Sequence, residues 1–174
     1  LTAALFYLLV YTMWLKRSTT SNIVIGGAAG ALPPVIGWTA VTNHLALAPV
    51  ICFALVFVWT PPHFWALATR YRDDYAAASV PMLPVVADVH KVSRQVLAYT
   101  VVVVGLSFVL APIAHLGPLY LTVASLAGLE FLYRAVVLWR RPGPKTAMRV
   151  FGSSILYLTA VFVAMGVDAL IRHP

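Results

Sequence analysis

The sequence has few charged residues and a single cysteine. Charged side chains make up 10% of the 174 residues, whereas 61% are hydrophobic and the mean hydropathy is +0.90. A soluble domain carries about 25% charged residues, so the composition excludes an ordinary soluble domain and indicates a membrane protein. Because Cys52 is alone, an intrachain disulfide is excluded, and nothing around it suggests a thiol site.

Several other features are missing from the sequence. No basic segment of the kind that begins a secretory signal peptide precedes the first apolar run, which starts at Leu1 without a methionine. We therefore expect a fragment whose N-terminal part is missing. Low-complexity tails, soluble segments and internal repeats are not evident, so the sequence predicts a single membrane domain over residues 1–174.

Six apolar runs are candidates for helices that cross a bilayer, for which about 20 residues are needed. They lie at 1–15, 22–41, 45–68, 93–113, 116–138 and 147–171. The linkers between them are short and contain Pro, Gly, Asn or clustered charge, as turns between antiparallel helices do. The predicted fold class is an all-α, polytopic membrane protein.

The basic residues are confined to alternate linkers. Of the 12 Lys and Arg, all but Arg172 lie near the first, third and fifth linkers: Lys16, Arg17, Arg70, Arg72, Lys91, Arg94, Arg134, Arg140, Arg141, Lys145 and Arg149. The linkers "TNHLALAP" and "APIAHLGP" contain none. This asymmetry predicts cytoplasmic charged loops and a C-terminus outside. It also accounts for the net charge of +7, so no nucleic-acid partner is expected.

Two adjacent carboxylates, Asp73 and Asp74, follow the third span and are flanked by Arg70 and Arg72. Adjacent carboxylates repel each other unless a cation lies beside them. Hard oxygen ligands beside basic residues suit Mg²⁺ that holds a phosphorylated substrate, and arginines bind phosphate oxygens through paired hydrogen bonds. The alternative is a solvated loop whose charges pair with one another, and the spacing alone does not decide between the two.

Double prolines occur in the second and third spans. Pro61 and Pro62 remove backbone donors, so the third span is expected to kink or unwind at membrane depth, and Pro33 and Pro34 repeat the interruption in the second span. We expect the two spans to bend around a cavity, because freed carbonyls at that depth must be covered. His63 directly follows the prolines and is a functional candidate; the alternative is a histidine satisfied by a backbone carbonyl.

The segments "YTMWLKRSTTSNIVIGGAAGALPPVIGWTAVT" and "WTPPHFWALATRYRDDYAAASVPMLPVV" resemble the protohaem IX farnesyltransferases (haem O synthases), a branch of the UbiA-type membrane prenyltransferases. The resemblance implies a bundle of about nine helices around a cavity that opens to the cytoplasm. It also implies that the first three helices, with a first Asp-rich motif, are missing here, so the fragment alone is expected to be inactive.

The implied reaction transfers a farnesyl group from farnesyl diphosphate to a vinyl group of haem B, with Mg²⁺ as cofactor, and gives haem O for terminal oxidases. Asp73 and Asp74 are the expected catalytic carboxylates and metal ligands, although the second carboxylate four residues away that is typical of the wider superfamily is absent. The remaining assignments are diphosphate binding by Lys16, Arg17, Arg70 and Asn22, haem binding by His63, and a substrate pocket lined by Tyr11 and Trp65.

Two other functions fit parts of the pattern. A related prenyltransferase would use a quinone or another aromatic acceptor, and a transporter module would hold its substrate at broken helices. Transporters place ionisable residues within their spans, whereas Glu130 and Asp168 lie near span ends. The expected location is the bacterial inner membrane, in contact with lipid, and a haem-handling or oxidase-assembly partner is a further expectation.

Overall fold

The structure, a computed structural model, describes Leu5, Leu9 and residues 18–172. Every regular element in these residues is a helix, which confirms the predicted all-α class. The helices are α1 (Asn22–Ala31), α2 (Pro33–Thr42), α3 (Leu47–Arg70), α4 (Arg72–Ala77), α5 (Leu83–Val86), α6 (Val89–Ile113), α7 (Pro118–Arg140) and α8 (Pro144–Arg172).

Five helical stretches among the described residues are long and apolar enough to cross a membrane: α1 with α2, then α3, α6, α7 and α8. They coincide with five of the six predicted spans, and the first, 1–15, lies outside the described residues apart from Leu5 and Leu9. Large apolar side chains such as Leu126 and Leu156 are exposed on α7 and α8. Such a surface is suited to lipid, as expected of an integral membrane protein.

The helices α3, α6, α7 and α8 form a closed ring in which each packs against the next, and α1 and α2 pack against α3. Inside the ring, Tyr120 of α7 and Tyr157 of α8 are fully buried. Their hydroxyls donate to the carbonyls of Ser107 (2.8 Å) and Val103 (3.2 Å) on α6. These hydrogen bonds satisfy buried polar groups and join three helices of the ring.

The two double prolines have different effects on their helices. In the second span, α1 ends at Ala31 and α2 begins at Pro33, so the predicted interruption is found. The third span does not unwind, because α3 continues through Pro61 and Pro62; a kink of the continuous helix stays a prediction. Both prolines are buried, and carbonyls that lack a donor at membrane depth are tolerated where protein covers them. The functional candidates on α3 therefore lie along one continuous helix.

The linkers 70–91 and 140–149 lie together at one end of the ring, which we call the charged end. The guanidinium of Arg72 donates to the carbonyl of Val85 (3.3 Å), which connects the start of α4 to α5. Asp88 caps α6 by accepting from the backbone N–H of His90 (2.8 Å). These contacts hold the short helices between α3 and α6 in place, and with them Asp73 and Asp74.

Candidate functional site

A cavity of about 790 Å³ lies at the charged end, between the end of α3 and the start of α8. We call it the basic cavity, and it is lined by Arg70, Arg141, Gly143, Pro144, Lys145, Thr146, Met148 and Arg149. No carboxylate is among the lining residues. In the described part of the chain, the one salt bridge joins Arg134 to Glu130 elsewhere on α7. Cations gathered without a carboxylate partner favour an anion between them.

The cations of the basic cavity come from three helix ends. Arg70 is the last residue of α3, and Arg141 directly follows α7. Pro144 begins α8, where the fixed backbone angle of proline suits the first position of a helix. Lys145 and Arg149 follow on α8, and residues four apart lie on the same face of a helix. The fold thus brings together basic residues from distant parts of the sequence.

Of the four predicted diphosphate ligands, Arg70 lines the basic cavity. Lys16 and Arg17 lie outside the described residues, and Asn22 is buried at the start of α1 with 1% of its surface exposed. From the sequence, Arg141 and its partners on α8 are predicted only as charges that set the topology, so their place in this cavity is missed. The signal was the dense basic cluster "RRPGPKTAMR".

Asp73 and Asp74 lie in the first turn of α4, and both are exposed. They follow Arg70 closely in the chain but do not line the basic cavity. Within the described residues, neither carboxylate forms a salt bridge, and Arg72 bonds to a backbone carbonyl instead. The alternative in which these loop charges pair with one another is therefore not observed. Both carboxylates remain available to an external cation.

The chemistry of Asp73 and Asp74 fits Mg²⁺ as part of a coordination shell. Successive residues of a helix point about 100° apart, so the two carboxylates leave α4 in different directions. Mg²⁺ is commonly held by one or two carboxylates together with substrate phosphates and water. The described residues contain no group of three or more His, Cys, Asp or Glu suited to a metal, so the substrate would have to supply further ligands.

The imidazole ring of His63 packs against aromatic rings of α3 and α8. Its ring stacks on Trp59 at a centroid distance of 4.2 Å and on Phe151 at 4.5 Å. Its Nδ1 lies 2.8 Å from the Oγ of Ser154, and the Nε1–H of Trp59 donates to the carbonyl of Ser154 (2.9 Å). The alternative in which a backbone carbonyl satisfies His63 is thus wrong, because its partner is a hydroxyl.

A smaller apolar cavity of about 260 Å³ lies between α1 and α3. Its lining residues are Ile23, Gly26, Gly27, Gly30, Val56, Trp59, Thr60 and Phe64. Trp59 and Phe64 also contact the ring of His63, the latter edge-on with centroids 5.1 Å apart. An aromatic-lined space is therefore adjacent to the histidine, as a pocket for an apolar substrate requires.

Of the two predicted pocket residues, Trp65 lies within the described part of the chain and Tyr11 does not. Trp65 is 3% exposed, and its ring packs edge-on against Tyr99 of α6 with centroids 5.3 Å apart. It therefore contributes to the packing of α3 on α6. Tyr11 lies outside the described residues, and its role as a pocket residue stays a prediction.

Comparison with known proteins identifies the family. The sequence matches the UbiA prenyltransferase family over residues 1–165. Relatives named protoheme IX farnesyltransferase in Frankia alni, Gloeobacter violaceus and Synechocystis sp. are 53%, 49% and 50% identical over 97%, 95% and 98% of this chain. The chain spans 60% of the Frankia relative and 54% of each of the other two. No solved structure matches the chain. The chain belongs to the UbiA prenyltransferase family.

Proposed function

We propose that the protein transfers a farnesyl group from farnesyl diphosphate to a vinyl group of haem B and so produces haem O. The names of its relatives support this reaction. The observation that carries the proposal is the basic cavity, where Arg70 at the end of α3 joins three further cations, Arg141, Lys145 and Arg149. Arg70 is also close in sequence to Asp73 and Asp74. Earlier on α3, before Arg70, the aromatic cavity and His63 suit apolar substrates.

The basic cavity would bind and stabilise the diphosphate. Transfer breaks the bond between the farnesyl carbon and a diphosphate oxygen, and negative charge grows on that oxygen. Fixed cations stabilise such charge in the transition state, and the planar guanidinium groups of Arg70 and Arg141 suit phosphate oxygens. Bound Mg²⁺ would supply additional positive charge, held by Asp74 or Asp73. Lys16 and Arg17 are proposed to add further diphosphate contacts.

The apolar cavity would protect the reactive hydrocarbon from water. Trp59 and Phe64 present aromatic faces beside it, and such faces stabilise a cation by about 0.5–2 kcal/mol each. The farnesyl carbon forms a new bond with the terminal vinyl carbon, water adds to the neighbouring carbon, and a proton is released. Haem is proposed to bind through His63, either at its iron or at a propionate.

The transporter alternative is disfavoured by the two carboxylates of the predicted spans. Asp168 accepts hydrogen bonds from the backbone N–H groups of Gly117 (2.6 Å) and Tyr120 (3.3 Å). Glu130 forms a salt bridge with Arg134 (2.6 Å). Both therefore have structural partners, whereas a transporter would use such residues to bind its substrate or ion.

The cellular location and the orientation of the protein in the membrane are proposed from the distribution of its basic residues. The charged end is expected to face the cytoplasm of a bacterial inner membrane, with the C-terminus outside. A haem-handling or oxidase-assembly partner is proposed to dock on the basic loops at this end. Substrate would then reach the basic cavity from the cytoplasmic side.

The experiment that tests the reaction is product analysis with the full-length protein. Incubation with farnesyl diphosphate, haem B and Mg²⁺ should yield a haem whose mass has increased by one farnesyl group and one hydroxyl. A quinone precursor offered in parallel should remain unmodified. Prenylation of the quinone precursor with unchanged haem B would contradict the proposal and support the other acceptor class.

A further inference from the structure

The hydrogen bonds of Ser154 determine which ring nitrogen of His63 carries the proton. The Oγ of Ser154 lies 2.6 Å from the carbonyl oxygen of Phe151 and 2.8 Å from Nδ1 of His63. A hydroxyl has one proton, and two oxygens this close need a proton between them. The Ser154 proton therefore lies on the Phe151 side, and Nδ1–H of His63 must donate to Oγ.

The opposite nitrogen of the same ring carries the lone pair. In a neutral imidazole with Nδ1 protonated, Nε2 is an acceptor or a metal ligand. His63 is 9% exposed, and within the described part of the chain its one hydrogen bond is that of Nδ1. The rings of Trp59 and Phe151 on either side limit rotation out of this plane. Nε2 has no hydrogen-bond partner among the described residues, yet it is not completely enclosed by protein, so its lone pair can accept an external ligand.

We infer that Ser154 is a positioning residue that fixes His63 in the Nδ1–H tautomer and so presents Nε2 to the iron of the haem substrate. Histidines that ligate metals commonly donate their other N–H to an outer partner that fixes the tautomer and orients the ring. Here the outer partner is a hydroxyl on α8, 91 residues away in the chain. The inference rests on the proposed function, in which His63 meets haem.

The tautomer is measured first, without haem. The full-length protein is labelled with ¹⁵N-histidine, and the signals of His63 are identified by their loss in His63→Gln. We expect a protonated Nδ1 and an unprotonated Nε2 in the wild type. Ser154→Ala should shift the proton towards Nε2. The control Ser153→Ala should leave the tautomer unchanged, because Ser153 is also buried but its hydroxyl has no hydrogen-bond partner among the described residues.

An Nε2–H tautomer in the wild type would overturn the inference, and this result does not depend on whether any variant folds. An unchanged tautomer in folded Ser154→Ala would also overturn it. Ser154→Thr retains a hydroxyl and should restore the Nδ1–H form, so that loss of packing and loss of the hydrogen bond are separated.

Haem titration is the second readout. Loss of the outer partner of a metal-bound histidine typically costs about tenfold or more in affinity, so Ser154→Ala should weaken haem binding by that factor. Ser153→Ala should not. If His63→Ala weakens binding and Ser154→Ala does not, the positioning role is wrong. If neither does, the haem contact of the proposed function is wrong, while the tautomer result still decides the role of Ser154.

Discussion

The side chain of Asp168 caps a helix to which it does not belong. It lies near the end of α8, is 3% exposed, and accepts from the backbone N–H groups of Gly117 and Tyr120 at the start of α7. These groups have no partner within their own helix. Asp168 therefore stabilises the junction of α7 with α8.

Replacing Asp168 by alanine should lower the free energy of unfolding by about 1–3 kcal/mol, because two buried donors lose a charged acceptor. Thermal unfolding in detergent measures the change. The comparison is Asp88→Ala, which removes an exposed cap with one hydrogen bond and should cost about 1 kcal/mol or less. Equal losses in the two variants would contradict the account of Asp168.

The carboxylate of Asp74 is expected to act through Mg²⁺. In the full-length protein, Asp74→Asn should raise the Mg²⁺ concentration needed for half-maximal activity by about tenfold, the result of losing one charged interaction worth about 1.4 kcal/mol. Asp88→Asn is the matched control, because it removes one charge from the same linker while asparagine caps a helix as well as aspartate. The same Mg²⁺ dependence in both variants would remove Asp74 from the metal site.

At the scale of elements, α1 approaches α3 closely at Gly27. A Cβ added at Gly27 would lie 3.0 Å from Cγ2 of Thr60, whereas one added at Gly30 would meet nothing within 4 Å. Alanine favours a helix over glycine by about 1 kcal/mol. Gly30→Ala should therefore be neutral or stabilising, and Gly27→Ala should be less stable than Gly30→Ala by about 1–3 kcal/mol because of crowding. Equal melting temperatures in detergent would show that α1 is not closely packed on α3.

The positions of the membrane helices could be predicted because hydropathy and length are local properties of the sequence. Local rules were less successful at the prolines. Pro33 separates α1 from α2, but α3 continues through Pro61 and Pro62, because packing with neighbouring helices outweighs the intrinsic preference of proline. The partner of His63 could not be predicted either, since Ser154 lies on another helix and no spacing rule connects the two.

The basic cavity belongs to the scale of the whole molecule. The sequence predicts that Arg70 binds diphosphate, but it offers no reason to place Arg141, Lys145 and Arg149 beside it. These residues satisfy the positive-inside rule wherever they lie on the correct side of the bilayer. Their convergence follows from the closed ring of helices, in which α8 packs against both α3 and α7. Such long-range proximity requires the fold.

The orientation of the whole bundle is testable by labelling. Cys52→Ala removes the only cysteine of this chain, and single cysteines can then be placed at exposed Ala77 on α4 and at Leu45, which is 62% exposed in the linker before α3. In intact cells, a membrane-impermeant maleimide should label Leu45→Cys, whereas Ala77→Cys should react only after the membrane is opened. The reverse pattern would invert the proposed topology.

The most direct test of the central claim, that the cations of the basic cavity hold the diphosphate, compares two adjacent arginines. Arg141 lines the basic cavity and Arg140 does not. A hydrogen bond between charged groups contributes about 1.5–3 kcal/mol, so Arg141→Gln in the full-length protein should raise KM for farnesyl diphosphate by about tenfold or more. Arg140→Gln removes the same charge one residue away and should leave KM within about twofold of the wild type. Equal KM values for the two variants would contradict the assignment of the diphosphate to this cavity.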